Sequence, residues 1–228
     1  MRRPETSGLL ARIEGPEDFQ AAFGVSRETL ARLKTYAELL ETWQKTINLV
    51  APSTLGDVWH RHMADSAQLL VLAPAGATKW VDLGSGAGFP GLVLALMLAD
   101  RPGSRVALVE SDVRKCAFLG EVVRKTGIGQ LITVEIVTGR IENASTQAKC
   151  GIPEVITARA LAPLERLLEL SAPLFGPETV ALYQKGRDVG LELDAAAKNW
   201  RFGSELVPSR SDVSGRIIVL RGLEAKAA

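Results

Sequence analysis

Three glycines at alternate positions, Gly84, Gly86 and Gly88, follow the short apolar run Trp80-Val-Asp82-Leu and precede Phe89-Pro90 and an apolar stretch from Leu92 to Ala99. A strand that gives way to such a loop, and then to a helix, brings bare backbone and unpaired helix N–H groups against a ligand. The acid at the strand end, Asp82, is poorly suited to holding a pyrophosphate and suits a ligand that carries an amine or a cation. Two patterns overlap here: residues 82–88 have the form D-x-G-x-G-x-G, and residues 86–91 have the form G-x-G-x-x-G of dinucleotide sites. Gly84 is the glycine that directly ends the strand. Counted from it, the pattern is G-x-G-x-G, which favours S-adenosyl-L-methionine over NAD.

The next apolar run ends Leu108-Val109-Glu110, about 20 residues beyond the glycines, where an acid can accept hydrogen bonds from both ribose hydroxyls of either cofactor. Gly139-Arg140-Ile141-Glu142 follows the third run, where loop backbone and one side chain would clamp the edge of an adenine. Other chemistries lack their residues. No Lys-Ser or Lys-Thr pair follows the glycines as a nucleotide-triphosphate loop requires, and no G-x-S-x-G elbow is present. The histidines are His60 and His62, two apart and so on different faces of a helix, and no metal is expected. Cys116 and Cys150 are too distant for a C-x-x-C motif and are expected as buried small hydrophobes in a cytoplasmic protein.

These residues need a parallel sheet to carry them. Strands are expected at 80–83, 106–110, 132–137, 155–158, 179–184 and 217–220, with a weaker one at 205–207. Helices are expected near 90–99, 112–126, 164–170 and 189–199, an alternation that makes a mostly parallel sheet covered on both faces. Gly215-Arg216 would turn the last strand antiparallel. Ahead of the sheet, Ser26 caps a helix whose apolar positions Leu30, Leu33, Ala37, Leu40 and Trp43 share a face, and a second helical run covers roughly 55–72. The first dozen residues and the tail from Glu224 read as loose. The division is therefore 1–75, a helical extension, and 76–228, the cofactor-binding domain. The 228 residues carry 27 basic and 26 acidic side chains, a net charge of +1 that argues against a sequence-indifferent nucleic-acid coat. The longest apolar stretch has eight residues where a membrane span needs roughly 20, and no membrane association is expected.

With these features in hand the sequence resembles the small-subunit ribosomal RNA methyltransferase G family, also called glucose-inhibited division protein B. The likeness rests on Trp43-Gln-Lys-Thr-Ile-Asn48-Leu, Arg61-His62-Met-Ala-Asp65-Ser66, the 82–91 loop, Thr157-Ala-Arg159-Ala160 and Gln184-Lys185-Gly186. It implies a Rossmann-like class I α/β fold and transfer of a methyl group from S-adenosyl-L-methionine to N7 of a guanine in 16S rRNA, naked or in the small ribosomal subunit; a monomer is expected. It further implies that Gly84, Phe89, Ile141, Glu142 and Arg159 contact the cofactor with Glu110 at the ribose. Asn48, Arg61, His62, Asp65 and Ser66 would line the mouth of the site, with Lys185 nearby.

Guanine N7 bears a lone pair in the neutral base, so no general base is needed and positioning carries the rate. Asp65, or backbone carbonyls near Arg159-Ala160, would face the developing positive charge. Arg61, Arg159 and Lys185 would serve O6 or a flanking phosphate. Plainer roles compete: an i, i+4 surface pair for Arg61 and Asp65, a hydrogen-bonded core position for His62, solvated charges for Lys185 and Arg187, and core packing for Trp43. At the level of the whole chain, an NAD-dependent oxidoreductase and a non-catalytic ribosome-assembly factor are the rival functions.

Overall fold

The computed structural model describes residues 8–226. The chain opens with α1 (Pro16–Phe23) and α2 (Arg27–Gln44), whose Ser26 hydroxyl accepts from the Thr29 N–H at 3.1 Å as its position predicts. The helical run expected over 55–72 is present without interruption from residue 58 to 71, but it changes pitch along its length and a separate short helix precedes it. In chain order the pieces are α3 (Pro52–Leu55), a π-helical segment (Trp59–Ala64), α4 (Asp65–Ala67) and a 3-10 turn (Gln68–Val71). Polar side chains accompany the change of pitch. His62, Ser66 and Gln68 are all buried, and Ser66 donates back to the His62 carbonyl at 2.7 Å, a competing bond that distorts a helical turn.

Seven strands make one sheet among the described residues: β1 (Lys79–Leu83), β2 (Arg105–Glu110), β3 (Thr133–Thr138), β4 (Val155–Arg159), β5 (Val180–Lys185), β6 (Trp200–Pro208) and β7 (Arg216–Ala225). Their order is β3-β2-β1-β4-β5-β7-β6, with β7 antiparallel to both neighbours and the other pairings parallel. The helices between them are α5 (Gly91–Met97), α6 (Val113–Thr126), α7 (Ala144–Cys150), α8 (Leu164–Ser171) and α9 (Val189–Asn199). This is the expected Rossmann-like α/β architecture. Alternate residues of β1 enter two cores: Trp80 packs with α2, α5 and α6, whereas Val81 and Leu83 pack on the opposite face with α8. The first core joins the N-terminal helices to the sheet, so the extension and the cofactor domain share one apolar interior.

Three expectations fail in detail. Residues 8–14 are not loose, because the Leu10 N–H donates to the Arg210 carbonyl at 2.8 Å and Ile13 is buried; the rest of that expected arm lies outside the described residues. Glu224 and Ala225 belong to β7, and the Lys226 N–H bonds to the Asn199 carbonyl. Helix α7 was not expected, since only Thr146 and Cys150 of its seven residues are buried and no apolar stripe marks it. Strand order reverses between β1 and β4. A crevice at the carboxyl ends of the strands forms at such a reversal, and both cavities described next lie there.

Candidate functional site

The loop after β1 floors a cavity of about 440 Å³ whose walls come from the ends of β2, β3 and β4. Gly86 has φ +56°, and a Cβ built on it would meet nothing nearer than the Gly84 carbonyl at 3.8 Å. Its missing side chain leaves room for a ligand. Glu110, 8% exposed, closes the next side. One carboxylate oxygen accepts from the Gly86 N–H and the other from the Ser111 and Asp112 N–H groups, each at 2.8 Å. Three backbone donors leave about one of the carboxylate's four lone-pair directions open. Ile141 and Glu142 line the far wall; the Glu142 carboxylate is drawn outward to Arg166 at 2.6 Å.

Asp82 and Gly88 do not reach this cavity. Asp82 is 1% exposed and accepts from the Thr157 hydroxyl at 2.7 Å and the Gly91 N–H at 3.2 Å. Burial pushes its carboxyl up to about 6, against the bonds from Thr157 and Gly91 that favour the charged form. The acid that the sequence turns toward a cationic ligand thus ties β1, β4 and α5 together beneath the floor. Gly91 permits that close approach, since a Cβ there would lie 2.6 Å from an Asp82 oxygen. Gly88 faces Leu92 and Tyr36 instead of the ligand space.

A second cavity, about 510 Å³, adjoins the first and shares Leu49, Val50, Arg159 and Ala160 with it. Ala160 has φ 51°, a left-handed backbone that costs a non-glycine residue about 1 kcal/mol and marks the shared wall as a held conformation. The Arg159 guanidinium lies 5.1 Å from the centre of the Phe89 ring, which also stacks with His62 at 4.9 Å and Tyr36 at 5.2 Å. The Tyr36 hydroxyl donates to the Ala87 carbonyl, fixing the loop from α2. His62 is held by Thr54 through Nε2 at 2.8 Å. Burial, then the charges of Arg159 and Arg61, push its imidazole down to about 3, so the ring is neutral at pH 7.

Asp65 is the most heavily bonded group of the second cavity. One oxygen accepts from the Ser211 hydroxyl at 2.7 Å and the Gln68 amide at 2.8 Å; the other accepts from the Gln184 amide at 2.7 Å and lies 3.5 Å from Arg159. The i, i+4 pairing of Arg61 with Asp65 does not form. Arg61 reaches Asp212 on the β6–β7 turn at 2.8 Å instead, and Lys185 reaches Glu192 at 2.6 Å. Ser66 is fully buried and Asn48 is exposed, and neither lines a cavity; the lining in that segment is Leu49 and Val50 instead. Trp43 packs against Phe118, as core packing predicts. Gln68, Ser209, Ser211, Asp212 and Glu192 were not singled out from the sequence. Their one local signal is polarity in an apolar setting, and only the fold shows that Ser211 meets a residue 146 positions away.

The first cavity fits an adenosine-bearing ligand: open backbone at Gly86, a hydroxyl acceptor at Glu110 and a cation–aromatic pair at the boundary. Among the described residues no group of three or more His, Cys, Asp or Glu could hold a metal, and no helix is long and apolar enough to cross a membrane.

Comparison with known proteins gives the same direction. The family model for rRNA small subunit methyltransferase G matches residues 29–216. Ribosomal RNA small subunit methyltransferase G of Parvibaculum lavamentivorans is 51% identical over 93% of this chain and 91% of its own. The protein of the same name from Paramagnetospirillum magneticum is 51% identical over 91% and 95%. Among solved structures, a methyltransferase from Geobacter sulfurreducens superposes with a TM-score of 0.57 at 15% identity, covering 94% of this chain and 99% of that one. The O-methyltransferase from Bacillus cereus in complex with SAH gives 0.53 at 15% identity, covering 91% and 100%. These two likenesses bear on the fold alone.

Proposed function

The chain belongs to the rRNA small subunit methyltransferase G family, and from that premise we propose that it methylates N7 of one guanine in 16S rRNA, acting as a cytoplasmic monomer. It is an S-adenosyl-L-methionine-dependent methyltransferase of ribosomal RNA. Nothing in the comparisons favours an NAD-dependent oxidoreductase or a non-catalytic assembly factor. The observation that carries the finer reading is the pair of cavities meeting at Arg159 and Ala160, one floored by open glycine backbone and one walled by fixed polar side chains.

When bound, the cofactor supplies a methyl group on a positively charged sulfur. Gly84, Gly86, Phe89, Glu110, Ile141, Glu142 and Arg159 hold it, with Asp82 and Gly88 shaping the loop from below. Residues 76–228 thus form the donor side, and the extension, residues 1–75, contributes Arg61, His62 and Asp65 to the acceptor side. Guanine N7 needs no deprotonation, so the residues act by placement. Asp65, an acceptor held by Ser211, Gln68 and Gln184, faces the positive charge that develops on the purine without having to reorient. Arg61 and Lys185 contact O6 or a flanking phosphate. Neutral His62 braces Phe89 and takes no part in proton transfer.

The deciding experiment is methyl transfer from labelled cofactor to 16S rRNA taken from cells lacking the protein, with mass mapping of the product. One N7-methylguanine is expected. A label at another atom or nucleotide, or binding without transfer, would overturn the reading.

A further inference from the structure

A third cavity, about 520 Å³, lies on the far side of the β6–β7 turn and shares Ser209 and Arg216 with the substrate cavity. Its floor is aliphatic. Of the eight large apolar side chains exposed among the described residues, four border it: Leu9, Val71, Leu206 and Val213. Three arginines, Arg210, Arg216 and Arg221, stand around this floor with one acid, Glu205.

The charges of the two neighbouring cavities differ in kind. In the substrate cavity Arg61 holds Asp212, Arg159 holds Asp65 and Lys185 holds Glu192, and Arg216, at the wall shared with the groove, is the one lining cation without a carboxylate among the described residues. A phosphate arriving at any of the first three has to displace an acid. Among the described residues, Arg210, Arg216 and Arg221 make no ion pair; Arg216 donates to the Val213 and Gly215 carbonyls, and Arg210 to the Gly8 carbonyl at 3.4 Å. In a chain of net charge +1 this is a local concentration of uncompensated positive charge, beside the place where a nucleotide is to be methylated.

We propose that this groove is the bed of the RNA strand that adjoins the guanine in the substrate cavity. Arg210, Arg216 and Arg221 take its phosphates, and the aliphatic floor takes its riboses and base faces. The paired cations then place the base, and the free ones set the affinity. The proposal rests on the methyl-transfer reading for the identity of the strand, and on the shared wall for its direction.

The test compares the full chain with R210A/R221A, which leaves the substrate cavity untouched, and with R210K/R221K. The probe is an unmodified 16S rRNA transcript. The alanine variant should raise KM for the transcript about tenfold and make the dependence of log affinity on log salt shallower by about 1.4, the value for two lost phosphate contacts to a single strand. Its kcat, its affinity for adenosylmethionine and its thermal transition should match the parent, and the lysine variant should keep most of the affinity. Unchanged KM and salt slope in the alanine variant overturn the proposal. So does a loss seen with assembled particles but not with the transcript, which assigns the groove to a protein, or a parent dimer that the alanine variant dissolves, which assigns it to a second copy. A parent that binds RNA with the expected salt response in all three forms, yet transfers no methyl group, leaves the groove standing and sinks the function.

Discussion

The two adjoining cavities are built on opposite principles. The donor cavity is mostly backbone: a loop of seven residues, the end of β2, and a carboxylate whose three bonds all go to main-chain N–H groups nearby. The acceptor cavity is mostly side chains from distant segments, with Asp65 bonded to Gln184 and Ser211 at separations of 119 and 146 residues. Local chain chemistry can make the first. Only the completed fold can make the second.

Substitutions can break this contrast, and the largest effect falls on the donor side. Gly86→Leu should abolish adenosylmethionine binding in calorimetry while the fold loses only the roughly 1–2 kcal/mol that a left-handed backbone costs a non-glycine residue, because the new side chain itself enters open space. Gly91→Ala should do the reverse, destabilising the fold by about 1–3 kcal/mol through overpacking against Asp82; a variant that lost cofactor and not stability would contradict the assignment. On the acceptor side, Asp65→Asn should lower kcat by roughly 100-fold with cofactor affinity nearly unchanged, measured by single-turnover transfer to rRNA. Equal loss of both would merge the cavities into one functional unit. Glu110→Gln should weaken cofactor binding about tenfold, or ~1.4 kcal/mol, since the amide cannot accept all three loop bonds.

The smallest effect is one of pH. The His62 imidazole has its proton affinity lowered from an ordinary 6.5 to about 3, so the unfolded chain takes up the proton first as pH falls. The neutral ring's contribution to stability is complete above pH 6.5 and is lost progressively toward pH 3. His62→Gln should flatten the thermal transition across that window, and an unaltered acid limb would show that the ring does not govern it.

Legibility followed the same division. That Gly84 directly follows a strand, that Glu110 ends the next one, that Ser26 caps a helix and that the apolar runs are strands are statements about neighbours in sequence, and the fold agrees with them. The π-helical turn in the second helical run was not legible, because an apolar periodicity at Val58, Met63 and Ala67 survives in it while the buried His62 and Ser66 go unnoticed. Asp82 was legible as important but not in its direction, since nothing local says that Thr157 and Gly91 will claim both its oxygens. The hidden partners of Asp65 left no periodic trace at all.

One contact has a wider consequence. The Tyr36 hydroxyl, rooted in α2 and fully buried, grips the carbonyl of Ala87 inside the glycine loop. The boundary near residue 75 is therefore a change of sequence pattern and not a seam along which the molecule can come apart. Amide hydrogens of α2 and of the loop should exchange with solvent together, in a single cooperative opening, and occupation of the loop should slow both to the same degree.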